Sequence, residues 1–175
     1  MASAGDHPLA RFGQTVLSLS RAWAVLGGVV LLAIMLMTVA SVLMRALLGF
    51  PILGDYELVE IGTAIAAFAF LPWCHQAGGN VVVDVFTERA PEGLKRALAA
   101  ASSLALALIA LVLLWRMTLG GYDFWRYHEV TTNLGIPRWW ALPPILVSLA
   151  LLALVALVVF ATELQAALGK HRLRA

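Results

Sequence analysis

The sequence predicts an all-α integral membrane protein with four transmembrane helices, cytoplasmic N- and C-termini, and a short surface segment between helices 2 and 3. Composition carries most of this prediction: 62% of the 175 residues are hydrophobic and only 13% are charged, whereas a soluble domain has about 25% charged residues. The mean hydropathy of +0.90 agrees with it. We expect one membrane domain at residues 22–168, after a cytoplasmic segment at 1–21 and before a basic cytoplasmic tail at 169–175.

Three of the four predicted spans are long runs without a charge, at residues 22–44, 97–115 and 139–162. The first run would extend about 34 Å as a helix, which is enough to cross a hydrocarbon core of about 30 Å. It is also longer than the apolar region of a cleaved signal peptide. We therefore place spans at about 22–45, 92–118 and 139–166.

The second apolar run, at residues 61–74, is short enough to be a buried or re-entrant helix. A helix that begins at Asp55 reaches a full span at about 55–75, with Gly54 and Asp55 as turn and N-cap. Positive charges favour this crossing. With four spans, eight of the 12 Lys and Arg residues lie in the cytoplasm; if the run does not cross, only five do. Cytoplasmic loops are normally the more basic ones.

The net charge of +2 and the pI of about 9.0 do not indicate a nucleic-acid partner. The basic residues lie at the ends of the apolar runs, as expected for side chains at a membrane rim. The predicted partner of this surface is therefore the lipid bilayer.

The candidate site is formed by one cation and three carboxylates at the edge of the apolar runs, namely Arg45, Glu57, Glu60 and Asp84. Glu57 and Glu60 are three residues apart and share a helical face, where the helix N-terminus favours carboxylates. An ionised group inside the hydrocarbon must face protein. Three interpretations stay open: an ion pair of Arg45 with either glutamate, which locks helices 1 and 2; a docking or coupling site for a larger membrane partner; and a proton-coupled carboxylate, which the position of the charge near an interface disfavours. Asp84 lies in the surface segment as a solvated or structural carboxylate.

Other chemistry is poorly supported by the sequence. Cys74 is the single cysteine and adjoins His75, but two ligands are too few for a zinc site. No phosphate-binding loop, nucleophile elbow or zincin helix is present, so we expect no catalytic residue, no metal and no cofactor. Small residues four apart at Gly62 and Ala66, and at Thr63 and Ala67, favour close helix packing.

The chain resembles the small membrane subunit, the DctQ-like or Q-type subunit, of tripartite ATP-independent periplasmic (TRAP) transporters. The resemblance covers about residues 22–168. Its motifs are, in order, Arg45 at the end of a span, a Gly-Phe-Pro-Ile loop at 49–52, the acidic pair Glu57 and Glu60, an Asn-Val-Val-Val-Asp turn at 80–84, and Leu-Gly-Ile-Pro-Arg-Trp-Trp at 134–140.

The resemblance implies a non-catalytic subunit of the bacterial inner membrane that binds a large multi-span M-type subunit. That partner would carry the substrate and sodium sites, and a periplasmic binding protein would deliver an organic acid such as a dicarboxylate. The alternatives are a self-sufficient four-span exporter working as a homodimer and a membrane redox enzyme. The first would place an acid near the middle of a span, and the second would need histidines within the spans.

Overall fold

The computed structural model describes the backbone of residues 8–77 and 92–172, and the side chains of residues 13–77 and 93–165. Within these ranges the chain forms four α-helices and one 3-10 helix. They are α1 (Pro8–Leu48), α2 (Asp55–Gln76), α3 (Glu92–Arg126), the 3-10 helix (Arg138–Ala141) and α4 (Leu142–Arg172).

Four helical segments are long and apolar enough to cross a membrane: Gly13–Leu48, Asp55–Gln76, Gly93–Arg126 and Arg138–Gln165. An apolar segment of this length satisfies its backbone groups within a bilayer only as a helix. The predicted all-α membrane fold with four spans is therefore confirmed. The cytoplasmic location of both termini stays a prediction, and the surface segment between helices 2 and 3 falls outside the described residues.

The helices extend beyond the predicted spans. α1 begins at Pro8, ahead of the predicted span at about residue 22, and α3 continues past Arg116 to Arg126. The fourth span opens with the 3-10 turn, so that Pro143 and Pro144 fall in the first turn of α4, where a missing N–H costs no hydrogen bond.

α4 is the central helix of the bundle. It packs against α3 and α2 and touches α1, whereas α1 packs mainly against α2. A small core of Ala110, Leu152 and Ala153 lies between α3 and α4. Burial follows the same order: 44% of the most apolar stretch of the fourth span is buried within the chain, against 11% for the first. α1 is therefore a peripheral helix.

α1 and α2 form an antiparallel pair that meets at every seventh residue. The contacts are Ser41 with Asp55, Ile34 with Gly62, Gly27 with Ala69, and Ser20 with Gln76. A repeat of seven residues keeps one seam between two helices that supercoil left-handedly. The middle of this seam is made close by glycine, and both of its ends are hydrogen bonds between side chains.

The small residues of α2 divide between two faces. Gly62 and Ala66 are buried against α1, as their spacing predicts, and Ala66 is only 1% exposed. Thr63 and Ala67 are exposed instead. Only one of the two predicted packing pairs therefore acts within the chain.

Candidate functional site

Glu57 fastens the first turn of α2 to the loop that precedes the fourth span. Its Oε1 accepts a hydrogen bond from the backbone N–H of Asn133 at 2.7 Å, and its Oε2 accepts one from Leu134 at 3.0 Å. Hydrogen bonds to an ionised carboxylate are stronger than those between neutral groups. Glu57 thus holds together two parts of the chain that lie 76 residues apart in sequence.

The loop held by Glu57 is itself tightly folded. The backbone N–H of Thr131 donates to the carbonyl of Ile136 at 2.9 Å, and the N–H of Ile136 donates to the Thr131 hydroxyl at 3.0 Å. Gly135 makes the turn with a φ of +65°, a conformation that L side chains rarely adopt. The carboxylate therefore meets two N–H groups that the loop has already oriented.

The start of α2 differs from the predicted N-cap. Gly54 occupies the N-cap position with a φ of +74°, and it has no side chain that could cap the helix. A Cβ there would collide with the side chain of Leu134. The carboxylate of Asp55 accepts a hydrogen bond from Ser41 instead. Asp55 therefore ties α2 to α1, and Gly54 allows the loop to approach.

Arg45 forms no ion pair with Glu57 or Glu60, both of which lie in the described part of the chain. The seam register explains this. Ser41 and Asp55 lie at the same height along the axes of the two antiparallel helices. Arg45 therefore lies on one side of this contact, toward the end of α1, and the two glutamates lie on the other side. At 1.5 Å per residue, the axial separation from Arg45 is about 9 Å for Glu57 and about 13 Å for Glu60. Both glutamates also face away from α1.

Glu60 is exposed and lines a groove of about 610 Å³ between α2 and α3, with α4 as its floor. Arg138, at the start of the fourth span, lines the same groove. No salt bridge joins this acid and this base within the ranges that the structure covers. Arg138 is not among the predicted site residues. The available signal was an arginine at the start of an apolar run, next to two tryptophans.

The remaining candidates fall elsewhere. Asp84 lies outside the described residues. Cys74 and His75 line a smaller, mainly apolar cavity of about 170 Å³ between α2 and α3. Among the described residues, no group of three or more His, Cys, Asp or Glu side chains could hold a metal ion.

A second polar cluster, whose residues are not among the predicted site residues, joins three helices toward the Gln76 end of α2. Ser20 bonds the side chain of Gln76 at 2.7 Å, and the indole N–H of Trp23 donates to Ser148 at 2.8 Å. The guanidinium of Arg21 lies 5.8 Å from the ring centre of Trp73, within cation–π range. These contacts fix α1 against α2 and α4.

One family model matches the chain. It describes the DctQ component of tripartite ATP-independent periplasmic transporters and covers residues 34–166. The match includes part of α1, all of α2 and α3, and most of α4. No curated protein and no solved structure matches the chain. Since the family model spans well over half of the chain, this four-span membrane protein belongs to the DctQ family and is a TRAP transporter component rather than an enzyme.

Proposed function

We propose that this DctQ component serves as the small permease subunit beside a large multi-span M-type subunit in the bacterial inner membrane. The pair takes up an organic acid, such as a dicarboxylate, by sodium coupling, and a periplasmic binding protein delivers the solute. The small subunit is non-catalytic and holds neither the solute nor the sodium. Family membership supports this proposal, as does the peripheral position of α1.

The observation that carries the proposal is the outer face of α1. Only 11% of the most apolar stretch of the first span is buried within the chain. Opposite the seam with α2, Val29, Leu36 and Leu43 recur every seven residues and are 58%, 58% and 54% exposed. A heptad stripe of branched side chains is what a second helix packs against. We assign this stripe to a helix of the M-type subunit.

The four site residues divide between two roles in this proposal. Arg45, one turn after Ser41 at the exposed end of α1, lies off the Val29–Leu36–Leu43 stripe and makes a separate polar contact with the M-type subunit, as does Asp84 in the segment between helices 2 and 3. Glu57 holds the loop at 131–134 in place and so shapes the neighbouring surface. Glu60 belongs to the groove between α2 and α3.

Photo-crosslinking in the assembled complex tests the proposed interface. A photoreactive amino acid replaces Leu36 on α1 in one variant and Leu108 on α3, which is 56% exposed, in the matched control. We expect the M-type subunit to crosslink to position 36 and not to position 108. Crosslinks from position 108 alone would move the interface to α3.

Reconstitution tests the subunit role itself. Proteoliposomes that hold this chain alone should transport no organic acid, and transport should require the M-type subunit, the binding protein and a sodium gradient. Transport by the chain alone, as a homodimer, would instead support a self-sufficient carrier.

A further inference from the structure

The groove between α2 and α3 is amphipathic along its length. At one end it is lined by Glu60, Arg138 and the polar loop residues Thr132 and Asn133; toward the middle of the bundle its walls are apolar, with Ala64 and Met117 among them. A groove that changes from charged to apolar over this distance matches a molecule with a polar head and an apolar tail.

The charged end of the groove lies at the level of an aromatic belt. Trp139 and Trp140 follow Arg138 directly, and Trp125 and Tyr122 lie near the end of α3; all four are exposed. Tryptophan and tyrosine in this arrangement mark the headgroup region of a bilayer. Glu60 and Arg138 are therefore at the depth of lipid headgroups.

The form of the groove fits a lipid. Its lining on α2 runs from Tyr56 to Ala64, which is about 12 Å along the helix. Over that length the lining changes from charged and polar residues to apolar side chains such as Ala64 and Ile145, as a headgroup followed by the first part of an acyl chain requires.

The charges select the headgroup. Glu60 and Arg138 line one groove without forming a salt bridge to each other, so a ligand with both a cation and an anion complements them. An ionised carboxylate beside hydrocarbon is also costly unless an opposite charge reaches it. We propose that the groove binds one zwitterionic phospholipid, with its ammonium on Glu60, its phosphate on Arg138 and its acyl chains along α4.

This site depends on the membrane fold and not on the proposed partner. The test therefore uses the purified full-length chain in nanodiscs made of equal parts of phosphatidylethanolamine and phosphatidylglycerol. After transfer to mild detergent, native mass spectrometry counts the lipids that remain bound. We expect about one retained lipid, which is phosphatidylethanolamine rather than the anionic phosphatidylglycerol.

Charge variants test the two headgroup contacts separately. Glu60→Gln should abolish the preference between the two lipids while the phosphate contact persists. Arg138→Gln should lower the retention of phosphatidylethanolamine by about tenfold, because a hydrogen-bonded charge is lost. Arg126→Gln, on α3 and outside the groove lining, should change neither. Retention of both lipids by the wild type in equal amounts would overturn the assigned headgroup.

A steric variant tests the groove itself and has a close control. Ala64 lines the groove, whereas Ala67, one turn further along α2, is exposed and is not part of the groove lining. Ala64→Trp should fill the groove and remove the lipid, and Ala67→Trp should retain it; a monodisperse elution profile shows that each variant is folded. Equal retention by both variants would overturn the site.

Loss of the lipid on assembly, with crosslinks from position 64 to the M-type subunit, would show that a protein side chain occupies the groove instead.

Discussion

The hydroxyl of Ser41 on α1 donates a hydrogen bond to the carboxylate of Asp55, the first residue of α2, at 2.5 Å. The Oγ of Ser41 also accepts a hydrogen bond from the backbone N–H of Ile52 at 3.2 Å. Ser41 is only 1% exposed. One buried hydroxyl thus joins the end of α1, the connecting loop and the start of α2.

Replacing Ser41 with alanine should destabilise the chain by about 1–3 kcal/mol, because the mutation leaves an acceptor on Asp55 and the N–H of Ile52 without their partner. The measurement is the unfolding temperature of the purified protein in detergent. Ser18→Ala is the control, since Ser18 is exposed and bonds only the Thr15 carbonyl of its own helix. Equal shifts in the two variants would show that the Ser41 contact contributes nothing specific.

Two glycine-to-alanine mutations, one in the seam between α1 and α2 and one on α3, should change the free energy of unfolding in opposite directions. A Cβ at Gly27 would lie 2.7 Å from the Cβ of Ala69, which cannot rotate away, whereas a Cβ at Gly120 on α3 would meet nothing within 4 Å. Gly27→Ala should therefore destabilise by about 1–3 kcal/mol through overpacking. Gly120→Ala should stabilise by up to about 1 kcal/mol through helix propensity.

Thermal unfolding of both glycine variants in one detergent checks these signs. A stabilised Gly27→Ala variant would mean that α1 and α2 are further apart than the register indicates.

The sequence predicts the four helices because length and apolar composition alone decide them in a membrane. It also predicts that Glu57 and Glu60 share a helical face, which follows from their spacing. The neighbours of that face depend on how α2 is rotated against α1. The seam sets that rotation through Gly62 and Ala69, and a single sequence does not show which of several small residues are used.

The hydrogen-bond partners of Glu57 show most clearly which contacts a single sequence does not predict. They are two backbone N–H groups in a loop 76 and 77 residues away, and a backbone donor leaves no residue-type signal. Arg138 was missed for a related reason. Its position opposite Glu60 follows from the packing of α2 and the fourth span, although each residue is visible in the sequence.

Glu57 should control the order of the loop at 131–134. Glu57→Ala removes the acceptor of two charge-assisted hydrogen bonds that hold this loop to α2. The amides of Asn133 and Leu134 should then exchange hydrogen at least about tenfold faster. Hydrogen–deuterium exchange with peptide-level mass spectrometry measures this. Glu60→Ala is the control and should leave the exchange of these amides unchanged.

Arg45 should matter for assembly more than an arginine that lies outside the proposed interface. Arg45 and Arg126 are both exposed helix-terminal residues. Arg45→Ala should reduce the amount of M-type subunit that co-purifies with the chain, because a charged contact is lost, while Arg126→Ala should have little effect. Quantitative co-purification at matched expression gives the comparison. Equal losses in both variants would remove Arg45 from the interface.

Gly54 should be the least replaceable residue of the connection between α1 and α2. Both Gly54 and Gly49 have positive φ, at +74° and +83°, but a Cβ at Gly54 meets Leu134 while a Cβ at Gly49 meets nothing within 4 Å. Gly49→Ala should therefore cost only the left-handed backbone penalty of about 1–2 kcal/mol. Gly54→Ala should cost that penalty and a further steric term of about 1–3 kcal/mol.

A double variant separates the two terms at Gly54. Leu134→Ala removes the colliding side chain, so adding it to Gly54→Ala should recover the steric part and leave the backbone part. The measurement compares the unfolding temperatures of Gly54→Ala, Leu134→Ala and the double variant with that of Gly49→Ala. If Leu134→Ala lowers stability by the same amount in the wild type and in Gly54→Ala, the side chain of Leu134 does not contact position 54. The hydrogen bonds of Glu57 alone then hold the loop to α2.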